Sequence, residues 1–144
     1  MIDRFSGEYA FLSNYYPSVI VWGDDEEEFP TVEHFFQAMK TWSIEEHEAI
    51  RTAYCPGDAK KLGRRCTLRE DWDEVKNNFM LTGLRKKFED PVLRQKLIDT
   101  GDEFLVEGNT WHDTYWGVCE GKGRNMLGTL LMQVREELKN GTNC

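Results

Sequence analysis

The side chains best suited to chemistry lie in one run, Phe29-Pro30-Thr31-Val32-Glu33-His34-Phe35-Phe36-Gln37-Ala38-Met39-Lys40. At helical spacing Glu33, Gln37 and Lys40 fall at i, i+4 and i+7, so a carboxylate, an amide and an ammonium share one face. A fixed carboxylate can stabilise positive charge that develops on a substrate, or direct a water molecule against it. The competing reading is structural. Acids in a first helical turn commonly complement the helix dipole, and Gln37 and Lys40 would then be solvated surface residues. His34 adds little by itself, since a lone histidine is more often structural than catalytic.

A second run, Asn109-Thr110-Trp111-His112-Asp113-Thr114-Tyr115-Trp116-Gly117-Val118-Cys119, interleaves aromatics with an acid and a histidine. Trp111, Tyr115 and Trp116 offer faces that stack on a base or another flat ring, and Asp113 supplies a second carboxylate. The alternative is a long loop pinned to the core by its tryptophans. Next comes Gly121-Lys122-Gly123-Arg124-Asn125. Its glycines admit an anion to the backbone, Lys122 and Arg124 supply charge, and the helix start that follows offers free N–H groups. It is neither a Walker A sequence nor G-x-G-x-x-G, and a glycine turn with two surface cations accounts for it equally. Lys60, Lys61, Arg64, Arg65 and Arg69 form another basic cluster, readable as a solvated face. Cys119 and His112 keep thiol chemistry as an outside reading.

These residues must be positioned by a small set of elements. The β-branched and aromatic run at 18–22, the turn signal Gly23-Asp24-Asp25 and the return through Glu27-Glu28-Phe29 predict a hairpin that Pro30 stops. Thr31 is an N-cap for a helix over 32–42, whose apolar residues Val32, Phe35, Phe36 and Met39 form one buried stripe. Helices are expected over 44–54, before Pro56, and from an Asp58 cap to Arg65. A longer one begins near Asp71 and carries Trp72, Val75, Phe79, Leu84 and Phe88 on one side, at a cost of about 1 kcal/mol for the interior Gly83. Asp90-Pro91 opens a helix that Gly101 closes. Phe104-Leu105-Val106 reads as a short strand, residues 108–123 as a loop, and Leu127, Leu130, Leu131, Val134 and Leu138 as a final helix closing at Asn140-Gly141. The sum is an α+β domain dominated by helices with a few short strands.

The totals narrow the function. A chain of 144 residues, 40% hydrophobic, suits one domain, taken as 1–144, with one core. A formal charge of -8 argues against wholesale wrapping by nucleic acid, although part of the acid is concentrated in the run at 24–28. The cysteines, Cys55, Cys66, Cys119 and Cys144, match neither a zinc pattern nor a secreted disulfide framework. The first residues lack the apolar stretch of a signal peptide, and no segment approaches the roughly 20 apolar residues of a membrane span. A cytoplasmic protein with free thiols is the expectation.

In order along nearly the whole chain, these segments resemble the NADAR, or YbiA-like, family. The resemblance starts with Phe11-Leu12-Ser13-Asn14-Tyr15-Tyr16-Pro17 and the Phe29 to Lys40 run. It continues through Lys61-Leu62-Gly63-Arg64, Arg69-Glu70-Asp71-Trp72 and Leu84-Arg85-Lys86-Lys87-Phe88. It ends with Leu105-Val106-Glu107-Gly108-Asn109, Asp113-Thr114-Tyr115-Trp116-Gly117 and Gly121-Lys122-Gly123-Arg124-Asn125-Met126-Leu127-Gly128. Any one block could arise by chance; the ordered set is specific.

The resemblance implies an N-glycosidase acting on ribosylated nitrogen. Its substrate would be either a phosphoribosylamine intermediate of riboflavin synthesis or ADP-ribose linked to guanine in nucleic acid. The family's key glutamate falls on Glu33, and its aspartate before Tyr-Trp-Gly falls on Asp113. Asn14, Gln37, Lys40, Trp72 and Trp116 carry over as binding residues. Trp72, Trp111 or Trp116 would stack on the aglycone, Lys40, Arg64, Lys122 or Arg124 would neutralise phosphate, and Tyr115 and Asn125 are further substrate-binding candidates. No metal and no cofactor is required. The expected partner is the phosphorylated ribosyl substrate, with ADP-ribosylated DNA among the forms implied, and neither a membrane nor an obligate protein partner is expected. The alternative is a module that binds ADP-ribose without cleaving it.

Overall fold

A hairpin is the first strand pairing within the segment Asn14–Lys87, where the sequence places it. The computed structural model describes residues 1–141, so Cys144 lies outside the described residues. Strands β1 (Ile20–Trp22) and β2 (Glu27–Phe29) pair antiparallel with Ile20 opposite Phe29 and Trp22 opposite Glu27. The turn between them needs left-handed backbone at Gly23 (φ 90°) and Glu26 (φ 50°). Ile20 and Phe29 face inward and are fully buried.

Helix α1 (Val32–Ala38) follows, with the Thr31 hydroxyl accepting the His34 N–H at 3.1 Å. All seven of its residues are buried, so its polar stripe lies inside along with its apolar one. The expected extension to residue 42 does not occur. Thr41 leaves the helix to bridge Leu68, and the Lys40 carbonyl accepts from Arg69 N–H. Around α1 pack β2, α2 (Ile44–Arg51), α3 (Pro56–Arg65) and α4 (Trp72–Lys87). Helix α2 stops before residue 54, with Thr52 as its C-cap. Helix α3 starts at Pro56, with proline at the first helical position, so Asp58 sits in the first turn and is not the cap. Gly83 fits α4 because it faces Val32 and Phe35, whose side chains would lie 3.3 and 3.1 Å from a Cβ there. Phe35 is also the hub of an aromatic cluster, edge-on to Phe29, Trp22 and Phe79 at 5.4–6.4 Å.

The other compact unit comprises Met1–Ser13 and the chain from Phe88 onward. It contains a 3₁₀ helix over Gly7–Leu12, which has too short a period for the sequence pattern to reveal. Helix α5 (Pro91–Asp99) is capped by the Asp90 carboxylate, which accepts from Val92 and Leu93, and ends before Gly101 in left-handed conformation (φ 65°). Helix α6 (Met126–Lys139) packs on it. The expected strand at Phe104-Leu105-Val106 reduces to one bridge between Leu105 and Ile2, because the first residues of the chain supply only one partner there. The loop predicted over 108–123 contains two strands, β3 (Gly108–Asn109) and β4 (Val118–Cys119), paired in parallel. Gly128 lets α6 approach this segment: a Cβ would stand 2.1 Å from the Leu105 carbonyl oxygen.

His34 carries a testable consequence of the burial of α1. Its Nε2 lies 3.0 Å from the Ala53 carbonyl and its Nδ1 2.9 Å from the Thr31 hydroxyl, the pattern of a neutral imidazole with Nε2–H donating. Burial pushes its pKa below the ordinary 6.5, against a smaller pull upward from the Ala53 carbonyl. The unfolded chain therefore takes up a proton that the folded chain refuses, and stability falls as pH drops below about 6.5. Urea unfolding from neutral to mildly acidic pH should show that loss, and His34→Gln should flatten it. A slope identical in both proteins would place the acid sensitivity elsewhere.

Candidate functional site

In the Asn14–Lys87 unit the structure gathers Asn14, Glu33, Gln37 and Lys40 about helix α1. Glu33 is 7% exposed and Gln37 4%, which overturns the picture of a solvated stripe. Gln37 Nε2 donates to Glu33 Oε2 at 2.6 Å, an i, i+4 bond along the helix. The Glu33 N–H in turn donates to the Asn14 carbonyl at 3.2 Å, which fixes the segment at 14 against the start of α1. The Asn14 amide reaches only the Met80 sulfur, at 3.5 Å, and its Oδ1 is buried with no hydrogen-bond partner.

Lys40 lies beyond the end of α1 and is half-buried. Burial lowers its pKa first. Glu33 and the Cys66 thiol pull it back up, and Arg64 and Lys60 push it down again. Arg64 and Lys60 thus stand close enough to act on Lys40 beside a buried carboxylate, an arrangement an anionic ligand would relieve. Arg64 is exposed on α3, and Lys60 is a member of this group that the sequence pattern leaves in a generic basic cluster. Its signal is the i, i+4 spacing to Arg64. Gly63 is a further residue of the site that its type does not announce: a side chain at this position of α3 would collide with Gln37.

Trp72 is buried and packs against Phe36 at 5.1 Å and in a stack on Phe79 at 6.3 Å. Its ring is a wall of the aromatic cluster. Two clefts of this unit, of about 520 and 420 Å³, are lined around Trp42 and Arg69 and include neither Glu33 nor Asn14. The Arg69 guanidinium lies 3.8 Å from the Trp42 ring and is tied bidentately to Asp71, so the clefts are walled by an internally satisfied cation.

The other candidates, Trp111, Asp113, Tyr115, Trp116, Lys122, Arg124 and Asn125, belong to the second unit. Asp113 Oδ1 accepts from both the Tyr115 and Trp116 N–H groups, at 3.1 and 2.9 Å, and so shapes the turn that presents the two rings. Asn109 closes the loop from the other side, donating to the Asp113 carbonyl at 2.9 Å and accepting from its N–H at 3.1 Å. Tyr115 and Trp116 meet edge to face at 4.8 Å, and Arg124 stands 5.5 Å from the Tyr115 ring. Trp111 is 56% exposed.

The start of α6 departs from the expectation. The N–H groups of Arg124, Asn125, Met126 and Leu127 donate to the carbonyls of Thr114, Gly117, Tyr115 and Trp116 at 2.8–3.3 Å. These four backbone donors are thus already paired, and the exposed side chains of Lys122 and Arg124 present positive charge beside them. Asn125, buried and left-handed, donates to the Leu105 carbonyl and accepts from Glu107 N–H, both at 2.9 Å. It fastens the loop to its neighbour. Cys119 and His112 do meet, at 3.8 Å, but Cys119 is 6% exposed, the setting of a structural thiol. Among the described residues no group of three or more His, Cys, Asp and Glu side chains could hold a metal ion, and no helix is long and apolar enough to cross a membrane.

Residues 3–139 match the NADAR domain. N-glycosidase YbiA of Escherichia coli (strain K12) is 40% identical over 139 residues, covering 92% of this chain and 84% of that protein. The NMR structure of E. coli YbiA is similar with a TM-score of 0.83 at 38% identity, over 97% of this chain and 88% of that one. A riboflavin biosynthesis protein of Vibrio vulnificus (strain YJ016) is 36% identical over 136 residues, which are 91% of this chain but 36% of that longer protein. With the helix-dominated α+β fold, these relations make the chain a hydrolase of N-glycosyl compounds. It belongs to the NADAR family.

The double role of Asp113 Oδ1 in the turn is open to test apart from any activity. Asp113→Ala removes an acceptor shared by two N–H groups and should cost about 1–3 kcal/mol in denaturant unfolding. Asp113→Asn keeps that oxygen and should stay within about 0.5 kcal/mol of the parent. Equal losses in the two variants would show that the carboxylate charge, and not the turn geometry, is what the fold requires.

Proposed function

We propose that Glu33 is the carboxylate that stabilises cleavage of the C1′–N bond of a phosphorylated ribosylamine. The observation that carries this reading is a buried carboxylate held by a neutral amide, beside an unsatisfied Asn14 oxygen and a cluster of cations. In the reaction the C1′–N electron pair leaves with the nitrogen, and positive charge develops on C1′ and the ring oxygen. Glu33 lies in a water-poor setting where a fixed negative charge has its largest effect. Water then bonds to C1′; one of its protons goes to the departing nitrogen and the other stays on its oxygen as the new C1′ hydroxyl. Asn14 Oδ1 is an acceptor that a ribose hydroxyl would satisfy. Lys40, Arg64 and Lys60 would take the phosphate.

The substrate class favoured is the ribosylaminopyrimidine phosphate of riboflavin synthesis, because a relative that includes this domain is named for that synthesis. A second substrate class, ADP-ribose on guanine, draws support from Arg124 standing 5.5 Å from the Tyr115 ring, a pairing of stacking face and cation that suits a single-stranded nucleotide.

Purified protein and Glu33→Gln should be assayed in parallel on the ribosylaminopyrimidine phosphate and on an oligonucleotide carrying guanine-linked ADP-ribose. The parent should release free base and ribose phosphate from the first, and the variant should turn over at least about 100-fold more slowly with its circular dichroism unchanged. Release of ADP-ribose from the second alone would move the substrate assignment to nucleic acid. Normal turnover by Glu33→Gln would remove the residue from the mechanism, and binding without turnover on both would make the chain a nucleotide-binding module.

A further inference from the structure

Two polar atoms of the Asn14–Lys87 unit are buried with no hydrogen-bond partner, Asn14 Oδ1 and Gln37 Oε1. The first is the acceptor proposed for a ribose hydroxyl. Gln37 differs, because both ends of its amide are constrained by the protein. Its Nε2 donates to Glu33 Oε2 at 2.6 Å. That turns Oε1 away from Glu33 and onto helix α3 at Gly63, where a Cβ would stand 1.9 Å from Oε1 and 2.8 Å from Cδ. Only glycine leaves room for the amide in this place.

The orientation has a chemical consequence. A carboxylate only accepts hydrogen bonds, so the NH₂ end of Gln37 matches ionised Glu33. Turned over, the amide would set oxygen against oxygen, a pairing that only protonated Glu33 could satisfy. The pocket thus favours the charged form by hydrogen bonding, and it does so with a neutral group that leaves the negative charge uncancelled. We propose that Gln37, seated against Gly63, is a positioning residue that holds Glu33 ionised and in one orientation for cleavage, a role that rests on Glu33 being the carboxylate of the proposed reaction. Gln37 then serves Glu33 rather than the substrate.

Other charges also stand about α1. Lys40 interacts with Glu33 from the same chain segment, and Lys60, Arg64 and the Cys66 thiol surround Lys40 from the side of α3. On α2, Glu46 is bonded to Thr41 and Thr67, and Glu48 to Arg51. His47 of α2 pairs with Glu27 of β2. Helix α4 contributes buried Lys87, whose ammonium lies 5.7 Å from the Tyr16 ring.

The test reads the Glu33 carboxyl directly, by carbon-13 NMR of side-chain-labelled glutamate with the resonance assigned through its loss in Glu33→Gln. Gln37→Met keeps the volume and removes the donor; it should raise the titration of that carboxyl by about one pH unit, the size expected for one lost charge-assisted hydrogen bond. Gln37→Glu should give two coupled steps with the upper one higher still. Gly63→Ala, which crowds Gln37 without touching its chemistry, should move the titration in the same direction and provides the measurement if Gln37→Met does not fold. The acid limb of kcat/KM should move upward with the carboxyl. A Glu33 titration unchanged in any folded member of the set would overturn the proposal. A titration that moves while the kinetic profile stays fixed would support the coupling of Gln37 to Glu33 and count instead against Glu33 as the catalytic group.

Discussion

A carboxylate on a helix with no exposed face is the constraint to which much of the Asn14–Lys87 unit answers. Removing an ionised group from water costs several kcal/mol unless hydrogen bonds and charge replace its hydration. Glu33 receives a 2.6 Å bond from Gln37 one turn along α1, and the field of Lys40 from beyond the helix end. Each of these imposes a further requirement. Gln37 can be buried only because α3 presents Gly63, and Lys40 is placed where it is because α1 stops at Ala38 and the chain turns towards Leu68. The apolar half of α1 meets the same packing demand by other means, with Phe35 enclosed by Phe29, Trp22 and Phe79 and backed by Gly83. Helix α1 is short for an element that carries so much, and its stability comes from packing on every side rather than from length.

The second unit solves a different problem, the holding of a long loop in one shape. Its answer is a set of donors and acceptors paired within the loop and with its neighbours. Asp113 caps the turn, Asn109 clamps it, Asn125 joins it to residues 105 and 107, and the first N–H groups of α6 pair with the carbonyls of 114–117. Gly117 and Gly123 complete the arrangement: a Cβ at Gly117 would lie 2.2 Å from the Glu107 carbonyl oxygen, and one at Gly123 2.1 Å from that of Gly117. What remains outward-facing is limited to side chains, chiefly Trp111, Lys122 and Arg124. A rigid frame that presents a few groups suits recognition better than a flexible strap would.

The parts of this structure that are legible in the sequence are those set by local chemistry. Thr31 and Asp90 announce helix starts because a hydroxyl or carboxylate there satisfies free N–H groups, and Gly101 announces a stop because few other residues take its conformation. The hairpin is legible from its turn. What is not legible depends on partners distant in the chain. The end of α1 is decided by Leu68 and Arg69, about thirty residues on, and the pairing of the α6 donors by carbonyls ten residues back. The same limit applies to the candidate site. Spacing puts Glu33 and Gln37 on one face, yet whether that face meets water or protein turns on Gly63 of α3. Small residues are common on helices wherever two elements pack closely, so their presence on α3 does not point to Gln37.

The identity of the partner chosen for Glu33 bears on what the residue can do. An arginine in the place of Gln37 would have stabilised the buried carboxylate more strongly, by a bidentate ion pair. It would also have neutralised the charge and left little for a cationic transition state. A hydrophobic residue would have left the carboxyl to protonate, with the same loss. An amide lies between these: it donates one strong hydrogen bond and keeps the net charge at minus one. Lys40 stands beside the pair, yet burial and the nearby cations of α3 weaken its hold on a proton. An anionic ligand beside Lys40 would pull its pKa back up. On this view the buried surroundings of Glu33 prepare a negative charge for a reacting ribosyl group instead of cancelling it within the protein.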